Sequence, residues 1–244
     1  MTNPGWQFID PNGSFQLPDP DHNNYLYFPL LNEAGMMSAI TPSAHGDAKS
    51  GQNSYLLAPV SVDDLHNTRS ARNFWVRMET GRVWSATGNS AEQTSRRLSA
   101  DKEVATLTAG LLWQTVQRVE AESGLQAEVT SFVPASTTHQ VELMRVCLKN
   151  TGTGTLRLTP TAAIPIYGRS ADNLRDHRHV TSLLHRITCT ENGVFVRPTL
   201  SFDERGHTVN TLTYAVLGTD AGGKSPVGFF PVLEDFIGEG GALD

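Results

Sequence analysis

From Trp113 onward the chain alternates small or apolar residues with polar ones, and turn residues break the alternation at short intervals. Leu125, Ala127, Val129, Ser131 and Val133 alternate with Gln126, Glu128, Thr130 and Phe132. A period of two puts one set on each face of a strand and excludes a helix over the same residues. Glu122-Ser123-Gly124 separates this run from Trp113–Val119 and predicts a hairpin, and Pro134 ends it because proline offers no N–H to a ladder.

The same reading extends in both directions. Val141–Leu148 is apolar on both faces, which predicts a strand covered on two sides. Asn150-Thr151-Gly152-Thr153-Gly154 then predicts a hairpin onto Thr155–Thr161. Asn192-Gly193, between Ile187–Thr190 and Val194–Arg197, predicts a two-residue turn with positive φ. Upstream, Phe74-Trp75-Val76, Gly81 and Val83-Trp84 read as two short strands around a turn. Helical spacing is confined to Ala91–Leu98 and, in part, Ala171–Ile187. Residues 1–20, with Pro4, Pro11, Pro18 and Pro20, read as an irregular lead-in. The expectation is an all-β fold, one large antiparallel β-sandwich with little helix, spanning 1–244 as a single domain.

Composition narrows the function classes. A formal charge of −6 argues against general nucleic-acid affinity. No run of about eighteen apolar residues predicts a membrane span, and no basic start precedes an apolar leader, so the expected compartment is the cytoplasm. Cys147 and Cys189 both fall in strand-like runs. Two buried thiols fit better there than a disulfide. CxxC spacing is absent, and His177 with His179 lacks a third ligand, so neither metal nor cofactor is implied.

Gly218-Thr219-Asp220-Ala221-Gly222-Gly223-Lys224-Ser225 satisfies the phosphate-loop pattern. That chemistry requires a helix beginning at the lysine, whose amides and dipole meet the phosphates. Pro226, Gly228 and Pro231 preclude one, and the segment is expected to be a loop joining two strands. Trp75, Trp84 and Trp113, with Tyr25 and Tyr27, have the shape to stack on sugars, but on strands each is read as packing.

The segment NLRDHRHVTSLLHRI, Asn173–Ile187, concentrates Arg175, Arg178 and Arg186 with His177, His179 and His185, and Arg169 lies just before it. Guanidinium groups give paired donors to phosphates and vicinal hydroxyls, and imidazoles bond sugar oxygens. A solvated charged loop, or arginines paired with Asp172 and Asp176, is the alternative, and residue chemistry alone leaves both open. No local pattern nominates a catalytic pair of carboxylates.

NEAGMMSAITP (Asn32–Pro42), GQNSYLLAPVS (Gly51–Ser61), RNFWV (Arg72–Val76), WSATG (Trp84–Gly88), RDHRHVTSLLHRI (Arg175–Ile187) and FDERGH (Phe202–His207) together resemble the N-terminal domain of the inverting phosphorylases of glycoside hydrolase family 94. Within that family they are most similar to the 1,2-β-oligoglucan phosphorylases. The likeness runs from about Tyr25 to Asp244. It implies a supersandwich of the galactose-mutarotase type that handles carbohydrate and helps form a homodimer. In the complete enzyme a β-glucan oligosaccharide is cleaved by inorganic phosphate, and the general acid stands in a separate helical-barrel domain. That barrel is expected to be absent from residues 1–244, which leaves this chain without a catalytic residue of its own. Transferred by motif, the family's substrate side falls on Arg175, His177, Arg178, His179 and Thr181. A free-standing carbohydrate-binding module is the alternative reading. A mutarotase-like enzyme would further require His177, His179 or His207 to face a carboxylate across a cleft.

Overall fold

A computed structural model describes residues 5–23, 26–61, 71–174, 183–203 and 205–239. Its largest sheet has the order β1-β2-β9-β10-β11-β12. These strands are β1 (Gln7–Phe8), β2 (Phe15–Pro18), β9 (Val104–Gly110), β10 (Trp113–Glu120), β11 (Leu125–Phe132) and β12 (Leu143–Asn150). Two smaller sheets cover its inner face. One is β3 (Phe28–Leu31), β4 (Met37–Ile40), β5 (Ala48–Gly51) and β6 (Ser54–Leu57) in sequential order. The other places β7 (Asn73–Met78) between β13 (Leu158–Ala163) and β8 (Val83–Ser85). A third small sheet, β14 (His185–Thr190), β15 (Gly193–Pro198) and β18 (Tyr214–Leu217), and a lone hairpin, β16 (Leu200–Asp203) with β17 (Gly206–Val209), follow. All pairings between these strands are antiparallel.

The alternation read from the sequence is the alternation observed. Leu125, Ala127, Val129 and Ser131 are buried, and Gln126, Glu128, Thr130 and Phe132 face outward. Two apolar clusters form where the layers meet. Leu17, Leu107, Ala109 and Val116 of the large sheet pack on Phe28, Leu30, Ile40 and Leu57. Leu125, Ala127 and Val129 pack on Val76, Met78 and Trp84. At roughly 25 cal/mol per Å² of apolar area removed from water, burial in these two clusters stabilises the packing of the layers.

Polar ties join the layers. Arg72, just before β7, is buried; its Nε and NH2 groups donate to the two carboxylate oxygens of Glu142, each at 2.7 Å. The same guanidinium donates to the carbonyls of Gly46 (2.8 Å) and Asp47 (2.9 Å). Nearby, the Asn73 side-chain oxygen accepts from Ser85 Oγ and Thr87 Oγ1. Asn89 donates to the Ser43 carbonyl, and Gln114 donates to the Thr41 carbonyl. The sequence blocks around Thr41, Arg72 and Trp84 thus meet as one buried hydrogen-bonded layer.

Several sequence expectations are corrected. The lead-in holds regular structure in part: β2 pairs with β9, Leu17 is fully buried, and Pro18 is tolerated as the last strand residue. β12 is an edge strand rather than one covered twice, since only Met144, Val146 and Leu148 face the core. Cys147 therefore points outward, and Cys189 is exposed on β14, so neither thiol is buried. β12 and β13 do not form a hairpin. The Thr151 N–H and Oγ1 both donate to the Gly124 carbonyl, and the chain then crosses to pair β13 with β7. Leu156 and Leu158 thereby reach the second apolar cluster. The turn after β14 is Glu191-Asn192, with Thr190 paired to Gly193, and none of its residues has positive φ. Gly193 is required instead by proximity, because a β-carbon there would lie 2.1 Å from the Val216 carbonyl oxygen of β18.

Other expectations match. Ala91–Arg96 is a helix closed by a capping box between Ser90 and Gln93. Gly218–Ser225 is a loop in which the Asp220 carboxylate accepts from the Gly222 and Lys224 amides. It leads to a short helix, Leu233–Ile237, rather than to a strand. Trp75 and Trp84 are buried as packing residues, Trp113 is half-buried, and Tyr27 is exposed; Tyr25 lies outside the described residues. Among the described residues no helix is long and apolar enough to cross a membrane.

Candidate functional site

Arg175, His177, Arg178, His179 and Thr181 all lie outside the described residues. Both flanks of their segment are described, and they converge on one cluster of perturbed groups. The stretch before the segment is pinned to β6. Tyr167 N–H donates to the Leu56 carbonyl at 2.7 Å, and Tyr55 and Arg169 exchange backbone bonds of 2.9 and 3.3 Å. Gly168 allows close approach here: a β-carbon on it would lie 3.3 Å from the Tyr214 ring and 3.7 Å from the His185 imidazole. His185 follows the segment and Arg169 precedes it, so the chain returns to where it left.

Each group in the cluster has a displaced titration with a physical cause. Burial pushes Tyr167 up to about 12, the Arg169 charge opposing and Asp172 adding to the shift. Burial alone takes Tyr214 up to about 12. His185 is pushed down to about 4, first by burial and then by the Arg169 charge, with a hydrogen bond to the Gly168 backbone acting against both. Burial lowers Arg169 from its ordinary value. The Arg169 guanidinium lies 4.8 Å from the Tyr167 ring centroid, and its Nε donates to the Tyr167 carbonyl. Such a cluster of displaced titrations marks a functional-site candidate.

The frame around it is firmly bonded. Tyr167 donates its hydroxyl to the Ser170 carbonyl at 3.1 Å. Ser170 is fully buried, and its hydroxyl bridges the Asn173 side chain and the Phe202 carbonyl. The FDERGH block, which carries the β16–β17 hairpin, is thereby tied to the 3₁₀ turn Ala171–Leu174 that leads into the Arg/His segment. On the other side, Lys49 Nζ donates to the Tyr55 hydroxyl at 3.1 Å.

The arrangement suits ligand binding better than proton transfer. At neutral pH His185 is a neutral imidazole whose Nε2 is buried and unpartnered, and both tyrosines remain protonated. None of these three titrates near neutrality, as a general acid or base would need to. His207 packs its ring 5.9 Å from Phe202, and among the described residues it bonds to no carboxylate. Sequence reasoning flagged Arg169 and His185 but missed Tyr167 and Tyr214. The Tyr-Gly-Arg triplet at 167–169 was the available signal for the first. Tyr214 carried none, since it reads as one more apolar strand residue.

The chain matches the supersandwich domain of glycosyl hydrolase family 94 over residues 28–244, and it belongs to that family. Its antiparallel all-β layers are the fold that this domain description names. No curated protein matches the chain.

Proposed function

We propose that this chain is the N-terminal, non-catalytic domain of a cytoplasmic β-glucan phosphorylase acting on 1,2-β-oligoglucans. In the complete enzyme it lends the segment Arg175–Thr181 to the sugar and phosphate side of the active site and helps hold a homodimer. The observation that carries this reading is the family match together with the Tyr167–Arg169–His185–Tyr214 cluster, in which both flanks of the Arg/His segment are held. A hydrogen-bonded frame of that kind suits a segment whose arginines must be positioned for charge-assisted bonds.

The test uses the complete enzyme with phosphate and sophorose-type oligoglucans. Each such bond contributes about 1.5–3 kcal/mol. Arg175→Ala and Arg178→Ala are therefore each expected to lower kcat/KM by about ten- to a hundred-fold, at about 1.4 kcal/mol per decade. Thermal midpoint and dimer mass should stay at wild-type values. Unchanged kinetics in both variants would refute the role. Loss of activity together with loss of the dimer would reassign the segment to assembly. Phosphorolysis by residues 1–244 alone would refute the non-catalytic reading.

A further inference from the structure

The outer face of the six-stranded sheet carries an aromatic row that belongs to neither apolar cluster. Register places Gly110, Trp113, Phe132 and Leu143 side by side across β9, β10, β11 and β12. A β-carbon on Gly110 would lie 2.6 Å from Trp113 Nε1 and 2.9 Å from Cε2, so the indole lies against the glycine, and Trp113 and Phe132 are both half-buried. Two strand spacings, about 10 Å, separate Trp113 from Leu143. At the adjoining hairpin tip Leu111 is 85% exposed, and Leu112 holds the left-handed conformation at φ 62°, an unusual conformation for leucine.

The next row of the same face is polar. Thr108, Thr115, Thr130 and Arg145 stand in register beside the aromatic row, with Thr115 and Thr130 hydroxyls 2.9 Å apart. Arg145 donates to Glu128 at 3.4 Å, so the charges nearest the aromatic row cancel. An aromatic strip one residue wide, bordered by hydroxyls and a neutralised ion pair, complements an uncharged ring with apolar C–H faces and a hydroxyl rim. A protein partner would instead want a broader apolar centre, and an anion would want uncompensated positive charge.

We infer that this face is a second carbohydrate site, which binds a neutral gluco-oligosaccharide by stacking pyranose rings on Trp113 and Phe132 while Thr115, Thr130 and Arg145 bond its hydroxyls. The choice of a glucan rests on the proposed function; the site itself is on the opposite side of the large sheet from the layers that carry Tyr55 and Trp75.

Calorimetric titration of the 244-residue chain with 1,2-β-gluco-oligosaccharides tests it, using wild type, Trp113→Ala, Trp113→Tyr, Phe132→Leu, the control Arg157→Ala, and Arg169→Ala to report on the other cluster. Wild type and Arg157→Ala, which removes only an exposed ion pair with Glu79, are expected to bind equally. Trp113→Ala should weaken binding at least ten-fold, Phe132→Leu several-fold, and Trp113→Tyr should retain most of it, all with wild-type melting midpoints. Binding that survives Trp113→Ala and Phe132→Leu but is lost in Arg169→Ala overturns the surface while sparing the proposed function. Absence of heat with wild type also overturns it, and the full-length kinetics judge the proposed function separately. Conversion of a dimer to a monomer by Trp113→Ala, without sugar binding in wild type, would make the face a protein interface and overturn the proposal.

Discussion

Replacing Arg72 with methionine isolates the contribution of the tie between layers. In the wild type both members of the Arg72–Glu142 pair are almost wholly buried, with side-chain exposures of 3% and 8%. The variant would leave the Glu142 carboxylate with the Ser38 hydroxyl as its hydrogen-bond partner and strip the Gly46 and Asp47 carbonyls of their guanidinium donors. Removing one partner of a buried pair costs about 3–5 kcal/mol, because the remaining charge stays out of water without compensation. For a chain of this length each kcal/mol lowers the melting midpoint by about 2–4 °C, so a fall of about 6–20 °C is expected. Urea unfolding followed by far-UV circular dichroism measures the free energy directly. The double variant Arg72→Met/Glu142→Leu should recover most of the loss, since neither desolvated charge remains. A single-variant loss below about 1 kcal/mol, or strict additivity in the double variant, would refute the claim that this pair couples the layers.

Gly193→Ala should cost at least about 2 kcal/mol in the same unfolding assay, because its β-carbon would sit 2.1 Å from the Val216 carbonyl; a neutral result would mean that β15 and β18 separate easily. The depressed His185 makes acid destabilising: the unfolded chain takes up its proton near 6.5 and the folded chain only near 4. Stability should therefore fall as pH drops from about 6.5 towards 4, by about 1–2 kcal/mol after allowance for partial solvent screening. His185→Gln should flatten that limb of the stability–pH curve, and a curve unchanged by the substitution would refute the assignment. Both thiols should react with a disulfide reagent such as DTNB in the folded protein within minutes, since Cys147 and Cys189 are exposed; protection until denaturant is added would restore the buried reading.

Local pattern determined which residues become strands and which face each presents. The β10–β11 pair could be read residue by residue because Leu125, Ala127 and Val129 alternate with polar neighbours, and alternation is a property of the chain itself. The helix at Ala91–Arg96 was legible for the same reason, its cap and first turn being local. The Arg/His segment was legible as unusual chemistry, though not as a geometry. What the strands pair with was not legible. Thr151 bonds to Gly124, and β13 leaves β12 for β7, because Leu156 and Leu158 are better covered there. The lead-in hid β2, whose burial comes from Leu107 and Ala109, about ninety residues away in sequence. Cys147 and Cys189 looked buried because an apolar residue in a strand is ambiguous until the sheet's edges are known. Tyr214 and His185 meet at Gly168, and no spacing within the chain encodes that meeting. Periodicity acts over a few residues and so survives in a single sequence, whereas partner choice depends on which distant surfaces exclude water together, which only the folded structure decides.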